Sequence, residues 1–261
     1  MHSNRVVAIT GASAGIGRAT AVRVARDGSA VAVCARRGDR LETLASEIGA
    51  AGGTALPVVA DVAREADMDA FVARVVERFG RLDVMMCNAG FGIAGTIDEI
   101  SGSQMRRLIE VNYLGTYYAA RAAMPVFRRQ GSGHVIVVSS IVGKRGVPFM
   151  GAYSATKFAQ VGLAECLRSE LSGTGIHLSI VYPISTPTEF NDVMARESGA
   201  TTSAKGPRQS AEEVADAIAR AIAHPVAEVY PYVISRGLVW LNAFAPALCD
   251  RVVQKFGRRR A

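Results

Sequence analysis

The sequence is poor in the residues and runs that mark metal-binding, disulfide-bonded and membrane-spanning proteins. Its 261 residues include only four cysteines and four histidines, scattered rather than placed at metal-ligand spacing, and no carboxylate cluster indicates a required metal. No apolar run reaches the roughly 18 residues that a bilayer span requires. The cysteines are expected to be reduced thiols buried in the core, as in a reducing compartment: Cys34, Cys87, Cys166 and Cys249.

Positive charge is concentrated at one end of the chain. Lysine and arginine outnumber aspartate and glutamate by 30 to 23, and the segment 246–261, with five of those cations and one aspartate, contributes +4 of the net charge of +7. No recognisable nucleic-acid-binding motif accompanies this basic tail, so its charge does not indicate nucleic-acid binding. The first residues lead directly into a strand pattern without an apolar signal segment, so a cytoplasmic location is expected.

Short apolar, β-branched runs alternate with longer helical patterns from end to end. Such runs are typical of strands buried on both faces of a parallel sheet. The alternation predicts one α/β domain, 1–261, with a doubly wound, seven-stranded, mostly parallel sheet and helices on both faces. Pro231 cannot donate a ladder hydrogen bond, so the seventh strand is expected at an edge. The predicted strands are 5–9, 30–35, 55–60, 82–87, 133–139, 176–182 and 228–234.

Helix-end signals accompany the helical patterns. Ser210 and Glu213 have the spacing of a capping box at the start of one helix, and Pro246 can open another near the C-terminus. The predicted helices between the strands are 17–27, 40–50, 65–79, 104–129, 153–171 and 211–223.

A glycine-rich turn joins the first predicted strand to the first helix. Gly11, Gly15 and Gly17 would let the backbone approach a phosphate, whose charge the helix N-terminus favours. Their spacing, G-x-x-x-G-x-G, is a variant of the dinucleotide fingerprint. The alternative is that the glycines only permit tight packing. The strand–turn–helix context favours a dinucleotide site, with Ser13 and Ile16 also in contact with the ligand.

The end of the second predicted strand indicates which dinucleotide is bound. An NAD site places a carboxylate there to hold the ribose 2′-hydroxyl, whereas this sequence has Arg36 and Arg37. Guanidinium groups bind a phosphate through charge-assisted hydrogen bonds, so NADP(H) is favoured, and Ser13 could add a hydroxyl to the 2′-phosphate site. The alternative is that both arginines begin a solvated loop.

A serine, a tyrosine and a lysine form a candidate catalytic group. Tyr153 and Lys157 are four residues apart in a helical pattern and therefore project from one face. A lysine ammonium close to a tyrosine lowers the phenol pKa towards the working range of an acid–base catalyst. Ser140 lies at the carboxyl end of the fifth predicted strand, where open α/β sheets carry their chemistry.

Further residues join these motifs in order along the chain. Cys87-Asn88-Ala89-Gly90 follows the fourth predicted strand, and Asn112 lies in the fourth helical pattern. With 10–17, Ser140, Tyr153 and Lys157, they resemble the motif set of the short-chain dehydrogenase/reductase family, single-domain NADP(H)-preferring branch. The resemblance covers nearly the whole chain and implies a Rossmann-like fold.

The resemblance also implies an activity, the NADP(H)-dependent interconversion of a carbonyl and a secondary alcohol. Tyr153 would protonate the carbonyl oxygen during reduction, and Ser140 would polarise and orient that carbonyl. Lys157 would lower the Tyr153 pKa and hydrogen-bond the nicotinamide ribose, and Asn112 would hold a water in a proton relay through Lys157. The remaining cofactor contacts that it implies are Asp61, Val62, Asn88, Ala89, Gly90, Pro183 and Thr188.

The sequence departs from the family pattern at two positions. Cys87 stands where the family often has asparagine, and Ile184 stands where glycine usually follows Pro183. Because Ile184 has a Cβ, its backbone is expected to avoid the left-handed region. Asn88 is also expected to stabilise the central strands.

Two segments lie outside this motif set. The resemblance implies a mobile substrate lid at 189–208. Apolar residues near the reacting centre suggest an apolar carbonyl substrate; the alternative is that they pack a loop against its own protein. The C-terminal extension, 237–261, is basic and amphipathic, so it could close a pocket, dock on a neighbouring subunit or rest on an anionic membrane. A homodimer or homotetramer is expected from the family. The apolar candidates are Phe91, Ile93, Val142, Val147, Phe149, Phe190 and Met194.

Two other functions remain open at this point. One is a reductase of carrier-linked 3-oxoacyl groups, which uses the same chemistry on another carbonyl. The other is a non-catalytic NADPH-sensing protein, because a fold does not fix a function.

Overall fold

A parallel sheet forms the centre of the computed structural model, which describes residues 5–199, 201–204, 206–254 and 257–260, with the backbone alone at 201–204 and 257–260. The strands are β1 (Val6–Thr10), β2 (Ala30–Ala35), β3 (Thr54–Val59), β4 (Val84–Cys87), β5 (Gly133–Val138), β6 (Ile176–Val181), β7 (Thr201–Ala204), β8 (Glu228–Val229) and β9 (Gly257–Arg260). Seven of them form one sheet in the order β3-β2-β1-β4-β5-β6-β8, with every neighbouring pair parallel. This confirms the predicted doubly wound α/β architecture.

Helices cover both faces of the sheet. They are α1 (Gly15–Arg26), α2 (Gly38–Ala50), α3 (Glu65–Phe79), α4 (Gly102–Leu108), α5 (Gly115–Gln130), α6 (Gly151–Glu170), α7 (Glu189–Ser198), α8 (Ala211–Ala223), α9 (Ser235–Phe244) and α10 (Pro246–Val253). α8 begins at the predicted capping box, where the Ser210 hydroxyl accepts from the Glu213 N–H at 3.0 Å. Among the described residues no helix is both long and apolar enough to cross a membrane.

The strand pattern explains why the sheet is covered on both sides. Every residue of β1 is buried, and Val6 and Ala8 face one core while Val7 and Ile9 face the other. α3, α5 and α6 cover the first face, and α1, α2 and α8 cover the second. Side chains alternate between the two faces along a strand, so a continuously apolar strand is buried on both faces.

Two predicted elements differ from the structure. The helical pattern 104–129 is interrupted by a π-helical segment, Ile109–Leu114, that separates α4 from α5. The seventh strand is an edge strand, as predicted, but it covers only Glu228–Val229 instead of 228–234. Pro231 has no N–H to extend the ladder, and the chain turns at 232–235, where the Ser235 N–H donates to the Tyr232 carbonyl at 3.0 Å, before α9.

The cysteine prediction holds for three of the four residues. Cys34, Cys87 and Cys249 are buried, and burial raises the pKa of the Cys34 and Cys87 thiols, that of Cys87 to about 12. Cys166 is exposed on α6, so the prediction of a core residue is wrong there. All four are free thiols.

The segments beyond the sixth predicted strand contain regular structure. The predicted lid, 189–208, holds α7, which is anchored by the buried Met194, and the strand β7, which pairs with β9 in antiparallel fashion. Pro246 occupies the first turn of α10, as predicted. Of the apolar residues at helical spacing in the C-terminal extension, Phe244 and Leu248 are exposed, Leu241 and Val252 are partly buried, and Phe256 lies outside the described residues.

Candidate active site

The predicted site residues converge at the carboxyl edge of the sheet, where the strand order changes direction. β1 lies between β2 and β4, so the connections from β1 and from β4 leave towards opposite sides of the sheet. A crevice forms at such a switch point outside the strand ends. The glycine turn after β1, the Asn88 segment after β4 and Ser140 after β5 all lie at this edge.

The glycine turn has a backbone that side chains would obstruct. Gly11 and Gly15 have φ angles of +67° and +57°. A Cβ on Gly11 would lie 2.7 Å from the Ala89 Cα, and one on Gly17 would lie 2.6 Å from the Gly11 carbonyl oxygen. Ala14, the residue before α1, has no side-chain group that could cap the helix. The first turn of α1 contains no acidic residue. The turn therefore presents helix N–H groups to an anion.

Asn88 ties the turn to the end of β4. Its Nδ2 donates to the Thr10 carbonyl at 2.9 Å and to the Gly11 carbonyl at 3.2 Å. The Thr10 hydroxyl oxygen accepts from the backbone N–H groups of Asn88 and Ala89, at 2.9 and 3.1 Å. The Cys87 thiol, which stands in place of the family's asparagine, donates to the Thr116 carbonyl at 3.7 Å. These bonds fix the two neighbouring strand ends relative to each other.

The residues after β3 form a local turn that packs against α5. The Asp61 carboxylate accepts from the Ala63 N–H at 3.0 Å, which closes a local turn. The Val62 side chain is buried against Gly115 of α5. A Cβ added to Gly115 would lie 2.8 Å from Cγ2 of Val62. Val62 thus meets the adjoining α5 rather than open solvent.

Arg37 and Ser13, both predicted at the 2′-phosphate site, are in contact. Arg37 donates to the Ser13 hydroxyl at 2.9 Å, although the two residues lie on different loops. Arg37 also donates to the Glu189 carboxylate at 2.8 Å, and Arg40 forms a second ion pair with that carboxylate. Arg36 is exposed beside them. Arg37 is therefore the arginine that the structure joins to Ser13.

Tyr153 is a buried phenol in contact with Ser140. Its side chain is 7% exposed, burial raises its pKa above the ordinary value of 10.0, and a hydrogen bond from Ser140 acts in the opposite direction. The Ser140 hydroxyl also lies 3.5 Å from the Pro183 carbonyl, which links the ends of β5 and β6. Without a cationic partner the Tyr153 proton would stay on the oxygen at neutral pH.

Lys157 lies one turn further along α6 and is also buried. Its Nζ is 5.6 Å from the centre of the Tyr153 ring, donates to the Val138 carbonyl at 3.0 Å, and donates to Gln160 Oε1 at 3.0 Å. Burial lowers its pKa to about 7, because the ammonium form loses hydration. The amine is thus poised near neutrality between its charged and uncharged forms.

Gln160 bridges Asn112 and Lys157, the two residues that the expected proton relay connects. Its Nε2 donates to the Asn112 carbonyl at 2.7 Å, while its Oε1 accepts from Lys157. Asn112 itself lies in the π-helical segment, and its amide exchanges hydrogen bonds with the Phe91 backbone at 3.0 and 2.9 Å. The sequence analysis missed Gln160. Helical spacing could have found it, because positions 153, 157 and 160 share one face of α6.

The segment after β6 brings α7 against the same crevice. Thr188 caps α7 by accepting from the Phe190 N–H at 3.3 Å, and its side chain lies 3.2 Å from where a Gly15 Cβ would be. The Phe190 ring is 5.4 Å from the Tyr153 ring. Ile184 is not in the left-handed region, which among described residues other than glycine only Phe149 occupies, at φ 62°. The expectation for Ile184 is therefore confirmed.

A cavity of about 480 Å³ adjoins this crevice on the side of α1 and α8. Gly15 and Thr188 line it together with Arg18, Arg208 and the first residues of α8. Ser140, Tyr153 and Lys157 are not among the residues that line it.

The sequence and structure were compared with known proteins. The family model described as short chain dehydrogenase matches residues 5–198. The uncharacterized oxidoreductase Lin0452 of Listeria innocua is 34% identical over 85% of this chain and 92% of its own length. A short chain dehydrogenase/reductase from Burkholderia phymatum in complex with NAD superposes with a TM-score of 0.86, at 25% identity over 94% of this chain and 95% of that one.

A second solved structure carries the other nicotinamide dinucleotide. The alcohol dehydrogenase from Thermococcus sibiricus, complexed with 5-hydroxy-NADP, has a TM-score of 0.78 and 32% identity over 87% of this chain and 96% of that one. The order of the motifs, the sheet topology and the match of the family model agree with one another. The chain therefore belongs to the short-chain dehydrogenase/reductase family of oxidoreductases.

Proposed function

We propose that the protein is an NADP(H)-dependent oxidoreductase that interconverts a ketone or aldehyde with the corresponding alcohol. The observation that carries this proposal is the position of the buried Lys157 amine, 5.6 Å from the ring of the buried Tyr153, with Ser140 beside the tyrosine at the end of β5. The nicotinamide would supply or accept the hydride when bound. The chain's own residues bind, orient and move the proton.

The acid–base step depends on two buried groups whose charges compensate each other. Tyr153 would give its Oη proton to the carbonyl oxygen during reduction and would take it back in oxidation. Burial raises the pKa of Tyr153 and lowers that of Lys157, so each charged form is unfavourable alone. A phenolate beside an ammonium replaces two isolated charges by a pair, which makes the proton transfer accessible near neutral pH.

The remaining groups orient this pair and the substrate. The Ser140 hydroxyl would donate to the substrate carbonyl and so favour negative charge on its oxygen. Gln160 and the Val138 carbonyl hold Nζ of Lys157, each at 3.0 Å. Phe190 and the buried Met194, which lie against Gly92, would give the substrate an apolar surface next to Tyr153.

The cofactor assignment is supported by groups that fit a dinucleotide with a 2′-phosphate. The glycine turn offers helix N–H groups and backbone that an added Cβ would block, which suits the pyrophosphate. Arg37 and Ser13 combine a cation with a hydroxyl at the end of β2, which suits the 2′-phosphate. Solved structures of the family contain either NAD or an NADP derivative, so this local chemistry, rather than the fold, supports the choice.

The proposal is tested by following NADPH absorbance with a panel of aldehydes, ketones, steroids and 3-oxoacyl thioesters. Tyr153→Phe should lose at least about 100-fold in turnover, the usual scale of a general acid, with NADPH affinity within about twofold. The panel also separates a 3-oxoacyl reductase from a free-carbonyl reductase. Equal turnover in the variant would remove Tyr153 from the mechanism, and NADPH binding without turnover of any substrate would favour the sensor alternative.

The choice between NADPH and NADH is tested with two neighbouring arginines that serve as matched variants. Arg37→Gln should weaken NADPH binding at least about tenfold and NADH binding by less than about twofold. The reason is that only NADPH has a 2′-phosphate for that guanidinium to bind. Arg36→Gln should have a smaller effect on NADPH, since Arg37 makes the contact with Ser13. Equal losses for both cofactors in Arg37→Gln would contradict the assignment.

A further inference from the structure

An acidic residue of α7 is paired with Arg37, one of the two arginines assigned to the 2′-phosphate, and with the neighbouring Arg40. The Glu189 carboxylate accepts from Arg37 at 2.8 Å and is also paired with Arg40. These hydrogen bonds lower the Glu189 pKa below its ordinary value, so the side chain is charged at neutral pH. The residues are about 150 positions apart in sequence, so the contact is made by the fold and not by a local turn.

We propose that Glu189 competes with the 2′-phosphate of the cofactor for Arg37 and Arg40, and that it thereby sets the affinity for phosphate-bearing cofactors. The inference rests on the proposed function, in which Arg37 and Ser13 bind that phosphate. A carboxylate and a phosphate both accept hydrogen bonds from guanidinium groups. The two anions repel each other at one site, so Glu189 leaves the arginines when the phosphate enters.

The residues on either side of Glu189 connect its ion pairs to the glycine turn and to Tyr153. Thr188 lies against the glycine turn at Gly15, and the Phe190 ring lies 5.4 Å from the Tyr153 ring. Three successive residues therefore touch the pyrophosphate cradle, the phosphate-binding arginines and the catalytic tyrosine. A phosphate that displaces Glu189 also loosens the start of α7 and moves Phe190 away from Tyr153, whereas a cofactor with a 2′-hydroxyl leaves the ion pairs in place.

The direct test measures binding of two small probes by calorimetry, 2′,5′-ADP and 5′-AMP, which differ only in the 2′-phosphate. Glu189→Gln should tighten 2′,5′-ADP about three- to tenfold, the scale of two exposed ion pairs that no longer have to be broken, and should leave 5′-AMP within twofold. Glu197→Gln is the matched control. It makes the same change at the other end of α7, where the carboxylate pairs with Arg107 at 3.0 Å, and should alter neither affinity.

A second variant separates failure of this inference from failure of the proposed function. If Arg37→Gln does not weaken the binding of 2′,5′-ADP relative to that of 5′-AMP, the assignment of Arg37 to the 2′-phosphate is wrong. The proposed competition is then wrong as well. If Arg37→Gln does weaken it and Glu189→Gln brings no tightening, the assignment stands and the competition is refuted. Equal tightening of both probes by Glu189→Gln also refutes the competition, because Glu189 would then act on the part that they share.

Hydrogen exchange of α7 provides a readout that does not depend on affinity. In the unaltered protein, 2′,5′-ADP should speed the exchange of amides in 189–194, and 5′-AMP should not. Glu189→Gln should show the faster exchange without any ligand. Slow exchange in α7 that is unaffected by 2′,5′-ADP would show that Glu189 stays on the arginines, and would overturn the proposal.

Discussion

Replacing Gln160 by leucine tests whether its amide controls Lys157. The fully buried Gln160 amide accepts from Lys157 at 3.0 Å and donates to the Asn112 carbonyl at 2.7 Å and to the Thr116 hydroxyl at 2.6 Å. Leucine has a similar volume and none of these polar atoms. Lys157 would keep the Val138 carbonyl, and the Asn112 carbonyl would keep the Thr116 hydroxyl, so neither group is left without a partner.

These remaining contacts limit the cost in stability. A neutral hydrogen bond contributes about 1 kcal/mol to stability, and one to a charged group contributes about 2 kcal/mol. Burial of the apolar leucine side chain offsets part of the loss of these bonds. We expect Gln160→Leu to lower the free energy of unfolding by about 2–3 kcal/mol. The protein should therefore still fold, as a urea titration at pH 7 would show.

The effect on the pH dependence of turnover is the decisive measurement. In the proposed mechanism proton transfer requires the Lys157 ammonium, so turnover should fall as the pH rises through the Lys157 pKa of about 7. Removing an acceptor of the ammonium disfavours the charged form further, which moves this fall to lower pH, by roughly one pKa unit for a loss of about 1.4 kcal/mol. Gln160→Glu should move it to higher pH, because a carboxylate favours the ammonium.

A matched control separates this role from a loss of packing. Gln130 also bridges backbone groups, with its amide bonded to the Leu82 N–H and carbonyl at 3.1 and 2.6 Å, far from α6 in sequence. Gln130→Leu should lower stability without moving the pH profile. An unchanged midpoint in Gln160→Leu, or an equal shift in Gln130→Leu, would refute the reasoning.

Two further variants test the glycine turn and the buried amine. Gly11→Ala should destabilise the protein by about 2 kcal/mol or more in thermal or urea unfolding and should weaken NADPH, because its φ is +67° and its Cβ would lie 2.7 Å from the Ala89 Cα; a neutral effect would mean that the turn can rearrange. Lys157→Met tests the lowered pKa. Between pH 7 and 10.5 the unfolded chain binds a proton that the folded chain does not, so stability should rise with pH in that window. The methionine variant should show a flatter rise in urea titrations at pH 7 and 9.5; an identical slope would place the Lys157 pKa at its ordinary value.

The architecture could be predicted because its signals are local. A strand that is buried on both faces is apolar along most of its length. A run such as Val135 to Val138 can therefore be recognised as a strand from the sequence alone. The glycine turn and the spacing of Tyr153 and Lys157 are equally visible within a few residues of sequence. Cys166 was misplaced because an apolar neighbourhood in sequence does not show which face of α6 a residue occupies.

The features that could not be predicted depend on contacts between distant parts of the chain. The ion pair of Arg37 with Glu189 joins the end of β2 to the start of α7, and nothing local marks either residue as its partner. The π-helical segment around Asn112 is stabilised by hydrogen bonds to the Phe91 backbone and to Thr156, which only the folded chain brings near. Gln160 is intermediate, since its position is periodic but its hydrogen-bond partners are not.

The central position of β1 has a consequence for how the chain folds during synthesis. β1 precedes the other described strands along the chain, and one of its edges pairs with β2, which follows 20 residues later, while the other edge must wait for β4 at Val84–Cys87. At a synthesis rate of about 5–20 residues per second, an apolar strand edge stays open for several seconds. Unpaired edges of this kind recruit other strands. The nascent chain is therefore most prone to aggregation before residue 87 emerges, and a chaperone that covers β1 would act in that interval.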